Sequence, residues 1–174
     1  MRRLKWLAFL FVGLVWVLQG CTYKLSLNGA SIPAALKTIR VEFFENTSPL
    51  VVNTLSQQFT EALKDRIRNQ TSLSVVNGEA QAVMSGTITD YNIAPVSVQA
   101  TNSTTAPIAD QTRLTITVHV IYTYDADKKL SFEQSFTKYK DFKGELSTVE
   151  QSLITDINKQ LTEDIFNQAF ANWD

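Results

Sequence analysis

The segment from Leu114 to Tyr124 constrains the fold more than any other part of the chain. Apolar and aromatic residues occupy every second position, and the positions between them are mostly threonine. Strict alternation of this kind is typical of a β-strand that buries one face and exposes the other. The sheet that contains this strand is therefore expected to have one apolar face and one polar face.

Shorter patterns on either side complete the predicted sheet. Alternation predicts a strand from Lys37 to Phe44, and brief apolar runs bounded by turn residues predict three more. An Asn-Thr-Ser-Pro turn follows the first strand, and an Asp-rich turn follows the long central one. The three further strands are expected over Leu73–Val76, Ala82–Val98 with Pro95 near its end, and Leu130–Tyr139.

Two amphipathic helices are predicted. The first covers Val52–Asn69, where Leu55, Phe59, Leu63 and Ile67 recur every four residues. The second opens at Ser147, which together with Glu150 matches a capping box, and continues with the same apolar spacing towards the end of the chain.

The predicted order is strand, helix, four strands, helix (β-α-β-β-β-β-α). A right-handed crossover makes the first two strands parallel, and the remaining strands form an antiparallel meander. Two helices cover only one face of such a sheet. The expected fold class is therefore α+β, a two-layer sandwich with a mixed, mostly antiparallel sheet of four to five strands.

The N-terminus has the pattern of an export signal. Bases at Arg2, Arg3 and Lys5 precede an apolar run that is shorter than the roughly 20 residues that a membrane-spanning helix needs. Leu18-Gln19-Gly20-Cys21 then resembles the lipobox of bacterial lipoproteins, and Cys21 is the only cysteine. We expect cleavage after Gly20 and acylation of Cys21, with several acyl chains giving a stable membrane anchor.

The predicted organisation has three parts. Residues 1–20 form a lipoprotein signal peptide, residues 21–35 an acylated tether, and residues 36–174 a single domain. Near-neutral charge argues against a nucleic-acid binder. Within the domain, the polar stretch Gln99–Thr112 is longer than most loops, and loops of this length are often functional.

Little of the chain offers catalytic chemistry. The lone His119 has no acidic neighbour in sequence, and the scattered glycines form no phosphate-binding loop. Asp125 and Asp127 fall in a turn, where aspartate is common, and lack the further ligands of a calcium loop. The chain is expected to be no enzyme, with no cofactor and no metal site.

The sheet face away from the helices is predicted to be rich in hydroxyl groups. Such a face is common where an antiparallel sheet meets water, but it also suits a surface that lies against another polar wall. The candidates for partner contact on this face are Thr115, Thr117, His119 and Thr123.

Bases are candidates for contact with an anionic headgroup, although solvated loop charge explains them as well. Arg113 opens the long strand, and the others lie in the following turn and around the last strand: Lys128, Lys129, Lys138, Lys140 and Lys143.

Taken in order, several segments resemble the LptE family of lipopolysaccharide-assembly lipoproteins. The segments are Cys21-Thr22-Tyr23, Ser31-Ile32-Pro33, Leu36–Val41, Leu55–Asp65, Ile93-Ala94-Pro95-Val96, Arg113–Val118 and Asp164–Trp173. The resemblance implies an outer-membrane lipoprotein, facing the periplasm or inside a barrel lumen. It would assist assembly of the LptD β-barrel and delivery of lipopolysaccharide to the outer leaflet. By position, it implies lipopolysaccharide contact near Arg113 and Lys143. The alternative is an envelope lipoprotein that binds a soluble ligand or an envelope polymer through its open sheet face.

Overall fold

The computed structural model describes residues 32–50, 52–96 and 111–171. The predicted signal peptide, Cys21, most of the tether and residues 97–110 of the polar loop region lie outside these ranges. The strands are β1 (Thr38–Val41), β2 (Glu45–Asn46), β3 (Ser74–Val75), β4 (Ala82–Val96), β5 (Gln111–Tyr124) and β6 (Phe132–Phe142). The helices are α1 (Leu55–Gln70) and α2 (Leu146–Phe170), and a 3-10 helix spans Lys128–Leu130.

The strands form one mixed sheet in the order β3-β1-β4-β5-β6, and β2 adds to β4 beyond the end of β1. β1 pairs in parallel with both β3 and β4, whereas β4, β5 and β6 are antiparallel. The parallel pairing of the first two predicted strands is confirmed. The sheet has six strands in the described residues, whereas four to five were predicted. The additional strand is β2, in which Glu45 and Asn46 pair with β4, although a turn was expected to begin at Asn46.

The predicted meander is wrong at its start. β3 and β4 are not neighbours, because the connection between them crosses β1 and places β4 parallel to it. The side chain of Gln81 holds this crossing in place. Its Oε1 accepts from the Lys37 amide at 2.6 Å, and its Nε2 donates to the Ala35 carbonyl at 3.1 Å. Polar side chains that satisfy backbone groups in this way leave no periodic signal in a sequence.

The core lies between the sheet and the two helices. All four residues of the predicted α1 stripe are fully buried, as are Leu114, Ile116, Val118, Val120 and Tyr122 on β5. Aromatic contacts connect the layers, with ring centroids 5.1 Å apart for Phe44 and Phe59 and 5.9 Å apart for Tyr122 and Phe170. The expected α+β sandwich, with both helices on one face, is confirmed.

The start of α2 differs from the prediction. The helix begins at Leu146, and its N-cap, Glu145, makes no side-chain capping bond. Glu150 does not take part in a capping box. Its Oε1 accepts a hydrogen bond of 2.7 Å from the Tyr91 hydroxyl on β4. Glu150 thus makes a tertiary hydrogen bond to Tyr91 and not the local hydrogen bond of a capping box. A carboxylate bonds a buried hydroxyl more strongly than a solvent-exposed amide.

β4 contains a β-bulge near its middle, and its end at Pro95 is an edge that pairs with β5 alone among the described strands. Pro95 remains in the ladder opposite Thr112, and the register shifts between Ile88 and Asp90. This β-bulge leaves Thr89 as the extra residue. Beyond it, Tyr91 and Ile93 return to the buried side opposite Ile116 and Leu114.

Candidate docking face

The face of the sheet away from the helices is defined by the ladder register, and we call it the open face. On β5 it carries the residues that alternate with the buried stripe, and pairing extends it across β4 and β6. Its members on the three long strands are Val83, Ser85, Thr87, Asp90, Asn92, Ala94, Arg113, Thr115, Thr117, His119, Ile121, Thr123, Glu133, Ser135, Thr137, Tyr139 and Asp141. The four candidates for partner contact therefore lie on one surface: Thr115, Thr117, His119 and Thr123.

Hydroxyl groups occupy the middle of the open face. The Thr117 and Thr137 hydroxyls lie 2.9 Å apart in a cross-strand hydrogen bond. At the bulge, the Thr89 hydroxyl reaches the Thr117 carbonyl at 3.4 Å. Each hydroxyl offers both a donor and acceptor lone pairs. The surface therefore retains hydrogen-bonding capacity towards a partner after these internal bonds are made.

His119 is held between two cross-strand neighbours on β6. Its Nε2 lies 3.0 Å from Glu133 Oε1, and its Nδ1 lies 3.2 Å from Ser135 Oγ. The side chain of Glu133 is 65% exposed, and the three groups sit on the flat surface of the sheet. Nucleophilic catalysis needs donors aimed at a developing oxyanion, which a flat exposed strand surface does not supply. The arrangement fits a structural histidine.

The side chain of Arg113 binds to two residues of β6. Its Nε donates to Asp141 Oδ1 at 2.7 Å and its Nη2 to Asp141 Oδ2 at 3.0 Å, while the guanidinium lies 3.8 Å from the Tyr139 ring centroid. The hydrogen bonds from Arg113 lower the pKa of the Asp141 carboxyl below its ordinary value. The same contact raises the pKa of Arg113. A bidentate, stacked arginine has a fixed orientation, which distinguishes it from a mobile surface base.

The two guanidinium groups of the open face are paired within it. Arg40 on β1 lies 3.1 Å from Glu42, which matches the pairing of Arg113 with Asp141. Glu133 has its hydrogen bond with His119, and Asp90 makes no ion pair with a described residue. Ile121 and Tyr139 add exposed apolar surface. The face is therefore polar, sparsely charged and partly aromatic.

The predicted headgroup bases do not form one cluster. Lys138 and Lys140 lie on the helix side of β6 and pair with Asp164 at 2.7 Å and Asp156 at 2.9 Å on α2. Lys128 and Lys129 are exposed at the β5–β6 turn. Lys143 follows the end of β6, which pairs with the start of β5, so it shares that end of the sheet with Arg113. Lipopolysaccharide contact by any of these residues stays a prediction.

No group of three or more His, Cys, Asp or Glu side chains suited to a metal occurs in the described part of the chain. At the turn, Asp127 accepts a hydrogen bond from the Lys129 amide at 3.1 Å. It thus caps the 3-10 helix, the role expected of a turn aspartate. None of the helices in the described ranges is long and apolar enough to span a membrane.

A comparison of the sequence with family models identifies the family of this chain. The model described as "LptE: Lipopolysaccharide-assembly" matches residues 36–169, which is most of the chain. The chain belongs to the LptE family. LptE proteins are assembly lipoproteins and not enzymes, and membership therefore gives this chain a general role in lipopolysaccharide assembly.

Solved structures share the LptE-like fold. Rare lipoprotein B from Shewanella oneidensis superposes with a TM-score of 0.53 at 10% identity, covering 75% of this chain and 92% of that one. Lipoprotein B from Nitrosomonas europaea gives 0.51 at 16% identity, covering 78% and 83%. At these identities the likeness shows the fold alone. No curated protein matches the sequence.

Sequence reasoning did not identify most of the side chains that hold His119 and Arg113 in place on the open face of this LptE protein. Glu133, Tyr139 and Asp141 were not singled out, although they contact His119 and Arg113. The β5–β6 hairpin would have allowed their prediction. The turn after Tyr124 sets the pairing register of the two strands, and this register places Asp141 opposite Arg113. Cross-strand pairs in long hairpins can be enumerated in this way before a structure is known.

Proposed function

We propose that this protein is the lipoprotein partner of an LptD-like outer-membrane β-barrel. It supports assembly of the barrel and passage of lipopolysaccharide to the outer leaflet. The open face contacts the wall of the barrel lumen. The protein reaches the outer membrane through cleavage after Gly20 and acylation of Cys21, which leaves the domain on a short lipid-anchored tether.

One observation carries the proposal. The open face is a broad polar surface without helical cover, and its two guanidinium groups, those of Arg40 and Arg113, are already paired within it. The lumen wall of a membrane barrel is polar. Docking against such a wall buries neither guanidinium without its carboxylate, so the desolvation penalty of an isolated cation is avoided. Asp90 makes no ion pair with a described residue, and the wall would have to supply its hydrogen bonds. Free hydroxyl capacity at Thr115, Thr117 and Thr123 supplies hydrogen bonds to the wall.

The end of the sheet that carries Arg113 and Lys143 is the proposed side of lipopolysaccharide contact. Both residues lie where β5 begins and β6 ends, next to the long loop. A guanidinium that is already bonded to Asp141 keeps further N–H groups for a phosphate or carboxylate, because arginine has five donors. Lys138 and Lys140 are the less suitable candidates, because their ammonium groups contact α2.

Site-specific photo-crosslinking tests the barrel contact. A photoreactive amino acid is introduced at Thr117 and Thr123 on the open face and within residues 99–110. Matched controls carry it at Gln57 on α1 and Lys159 on α2, both exposed on the helical layer. After irradiation of intact cells, we expect adducts with one large outer-membrane barrel from the open-face positions and much weaker capture from the helical positions.

Failure of every open-face and loop position to capture a barrel protein would overturn the assignment. Affinity purification of the acylated protein in mild detergent distinguishes the proposed barrel-partner function from the alternative function. A barrel accessory retains a stoichiometric barrel partner, whereas a lipoprotein that binds a soluble ligand or an envelope polymer does not.

A further inference from the structure

The connection between β3 and β4 is held at both ends and has few hydrogen bonds between them. At its start, the Val76 amide donates to the Ile39 carbonyl at 2.9 Å. At its end, the Gln81 amide donates to Thr38 Oγ1 at 3.1 Å. Residues 77–80 lie between these points and belong to no helix or strand. A segment with so few restraints rearranges more readily than the strands that flank it.

This loop begins with Asn77-Gly78, and both residues are exposed. Neither the Asn77 side chain nor the Gly78 amide N–H forms a hydrogen bond with a described residue. The Gly78 carbonyl accepts a long bond of 3.4 Å from Arg40 Nη1. No heavy atom lies within 4 Å of the position that a Cβ on Gly78 would take. The Asn77 side chain and the Gly78 nitrogen are therefore free to approach each other.

An asparagine that precedes a glycine can react with its own backbone. The amide nitrogen of the glycine attacks the side-chain carbonyl carbon, a C–N bond forms, and ammonia leaves with the former side-chain nitrogen. Water then opens the resulting succinimide ring at either of its two carbonyls, which gives aspartate or isoaspartate. Glycine favours the attack because no Cβ crowds its nitrogen or restricts its backbone angles.

We propose that Asn77 is a site of spontaneous deamidation, with water as the co-reactant and with aspartate and isoaspartate as the products. Among the asparagines in the described ranges, Asn77 alone precedes a glycine. Others are held by the fold, since Asn92 pairs with Thr115 in the β4–β5 ladder and Asn46 Oδ1 accepts from the Ser48 hydroxyl at 2.6 Å.

The reaction would change the edge of the open face. It creates a carboxylate one residue from the Gly78 carbonyl, which the guanidinium of Arg40 contacts. Isoaspartate also adds one methylene to the backbone of a loop whose two ends are fixed. The proposal rests on the β3–β4 connection and does not depend on the barrel contact proposed above.

Peptide mapping of the full-length protein provides the test. The folded protein and a sample unfolded in guanidinium chloride are incubated in the same mildly alkaline buffer and digested with trypsin. Residues 69–113 form one tryptic peptide, which separates Asn77 from the Asn28-Gly29 pair. Tandem mass spectrometry locates each exchange of NH₂ for OH, and methyl transfer by a purified isoaspartyl methyltransferase distinguishes isoaspartate from aspartate.

We expect Asn77 to react in the folded protein at a rate within about fivefold of its rate in the unfolded sample, because the loop is free to rearrange. Ser85→Asn is the matched control, since it places an asparagine before Gly86 inside the β4–β5 ladder. That position should react at least about tenfold more slowly in the folded protein than in the unfolded one, because the ladder fixes its backbone.

Gly78→Ala tests the attacking nitrogen. The open space around Gly78 accepts the methyl group, so the variant should fold. We expect it to slow the reaction of Asn77 at least about tenfold, because the Cβ crowds the nitrogen and narrows its backbone freedom.

The proposal is overturned if Asn77 gives no product in the folded protein, or if the fold protects it as strongly as the Ser85→Asn position. An undiminished rate in Gly78→Ala would also overturn it, because the succinimide route requires attack by that nitrogen. None of these outcomes bears on capture of a barrel from Thr117, so the two proposals can fail separately.

Discussion

At the residue scale, Gly86 shows how one missing side chain permits the sheet to pack. A Cβ placed on Gly86 would overlap the His119 carbonyl oxygen and the Phe44 ring. Its φ of +159° also lies at the edge of the range that other residues avoid. Both the strand pairing and the aromatic contact under the sheet therefore require glycine here.

We expect Gly86→Ala to lower the free energy of unfolding by about 1–3 kcal/mol, the usual cost of overpacking. Gly78→Ala is the matched control, since no heavy atom lies within 4 Å of its added Cβ. It should be neutral or stabilising by up to about 1 kcal/mol. Urea denaturation of both variants measures the difference, and equal stabilities would contradict this account of Gly86.

The pair of Arg113 and Asp141 predicts a pH effect. Because Arg113 lowers the pKa of Asp141 in the folded state, the pair contributes to stability above the ordinary aspartate pKa. That contribution is lost as the pH falls through the lowered value. Arg113→Gln should therefore raise the pKa of Asp141 towards the ordinary value, as read from the carboxyl carbon in an NMR titration.

Arg68→Gln is the control for this titration. It removes an arginine from α1, where Arg68 pairs with Asp65 at 3.0 Å, far in the fold from β6. The Asp141 titration should be unchanged in this variant. An Asp141 carboxyl that titrates identically in all three proteins would show that the bidentate contact does not form in solution.

At the element scale, the contact between Tyr91 and Glu150 connects β4 to the first turns of α2. The Tyr91 hydroxyl donates to Glu150 at 2.7 Å from a residue that is 2% exposed. Burial, strengthened by the Glu150 carboxylate, raises the pKa of Tyr91. The folded state thus favours the protonated Tyr91 hydroxyl. The contribution of this hydroxyl to the free energy of unfolding is complete below about pH 10 and declines as the pH rises further.

Removing this hydroxyl in Tyr91→Phe should cost about 1–2 kcal/mol, because the acceptor is a charged group that loses its buried partner. Tyr139→Phe removes a hydroxyl that is hydrogen-bonded to no described residue and keeps the ring under Arg113. It should change stability by less than about 0.5 kcal/mol. Thermal unfolding followed by circular dichroism compares the two, and an equal loss would argue against the interelement bond.

The sequence pattern identified the long elements and missed the short strand β2 for a physical reason. β5 and α1 each bury a periodic stripe, so their side chains record the period of the backbone. β2 is two residues long and is defined by its pairing to β4. Strands of this length contain no period, and a register shift such as that at Ile88 depends on the neighbouring strand.

The sequence predicted which face of the sheet the β5 residues occupy, and it did not predict the individual side chains that they contact. Alternation along β5 was sufficient to place Thr115, Thr117, His119 and Thr123 on one surface. The same rule applied to β6 would have directed Lys138 and Lys140 towards the helices, since they alternate with Ser135, Thr137 and Tyr139. Grouping bases by proximity in sequence ignored this alternation.

At the scale of the whole molecule, the anchor remains the principal prediction. Cys21 lies outside the described residues, so its evidence is the lipobox pattern together with membership in a lipoprotein family. We expect mass spectrometry of the natural protein to find an N-terminal, acylated Cys21. Cys21→Ser should block maturation and acyl attachment, because serine has no thiol to receive the diacylglyceryl group. An intact leader on the natural protein, or an unmodified thiol, would contradict the anchor.

The pairing of Val96 with Gln111 has a consequence for how this protein tolerates change. Because the ladder itself holds the two residues opposite each other, the span between them can lengthen or shorten without altering the sheet. Surface connections whose ends are fixed in this way accept insertions at a small entropic cost. An epitope or a fluorescent domain inserted there would leave the scaffold intact and place the reporter beside Arg113.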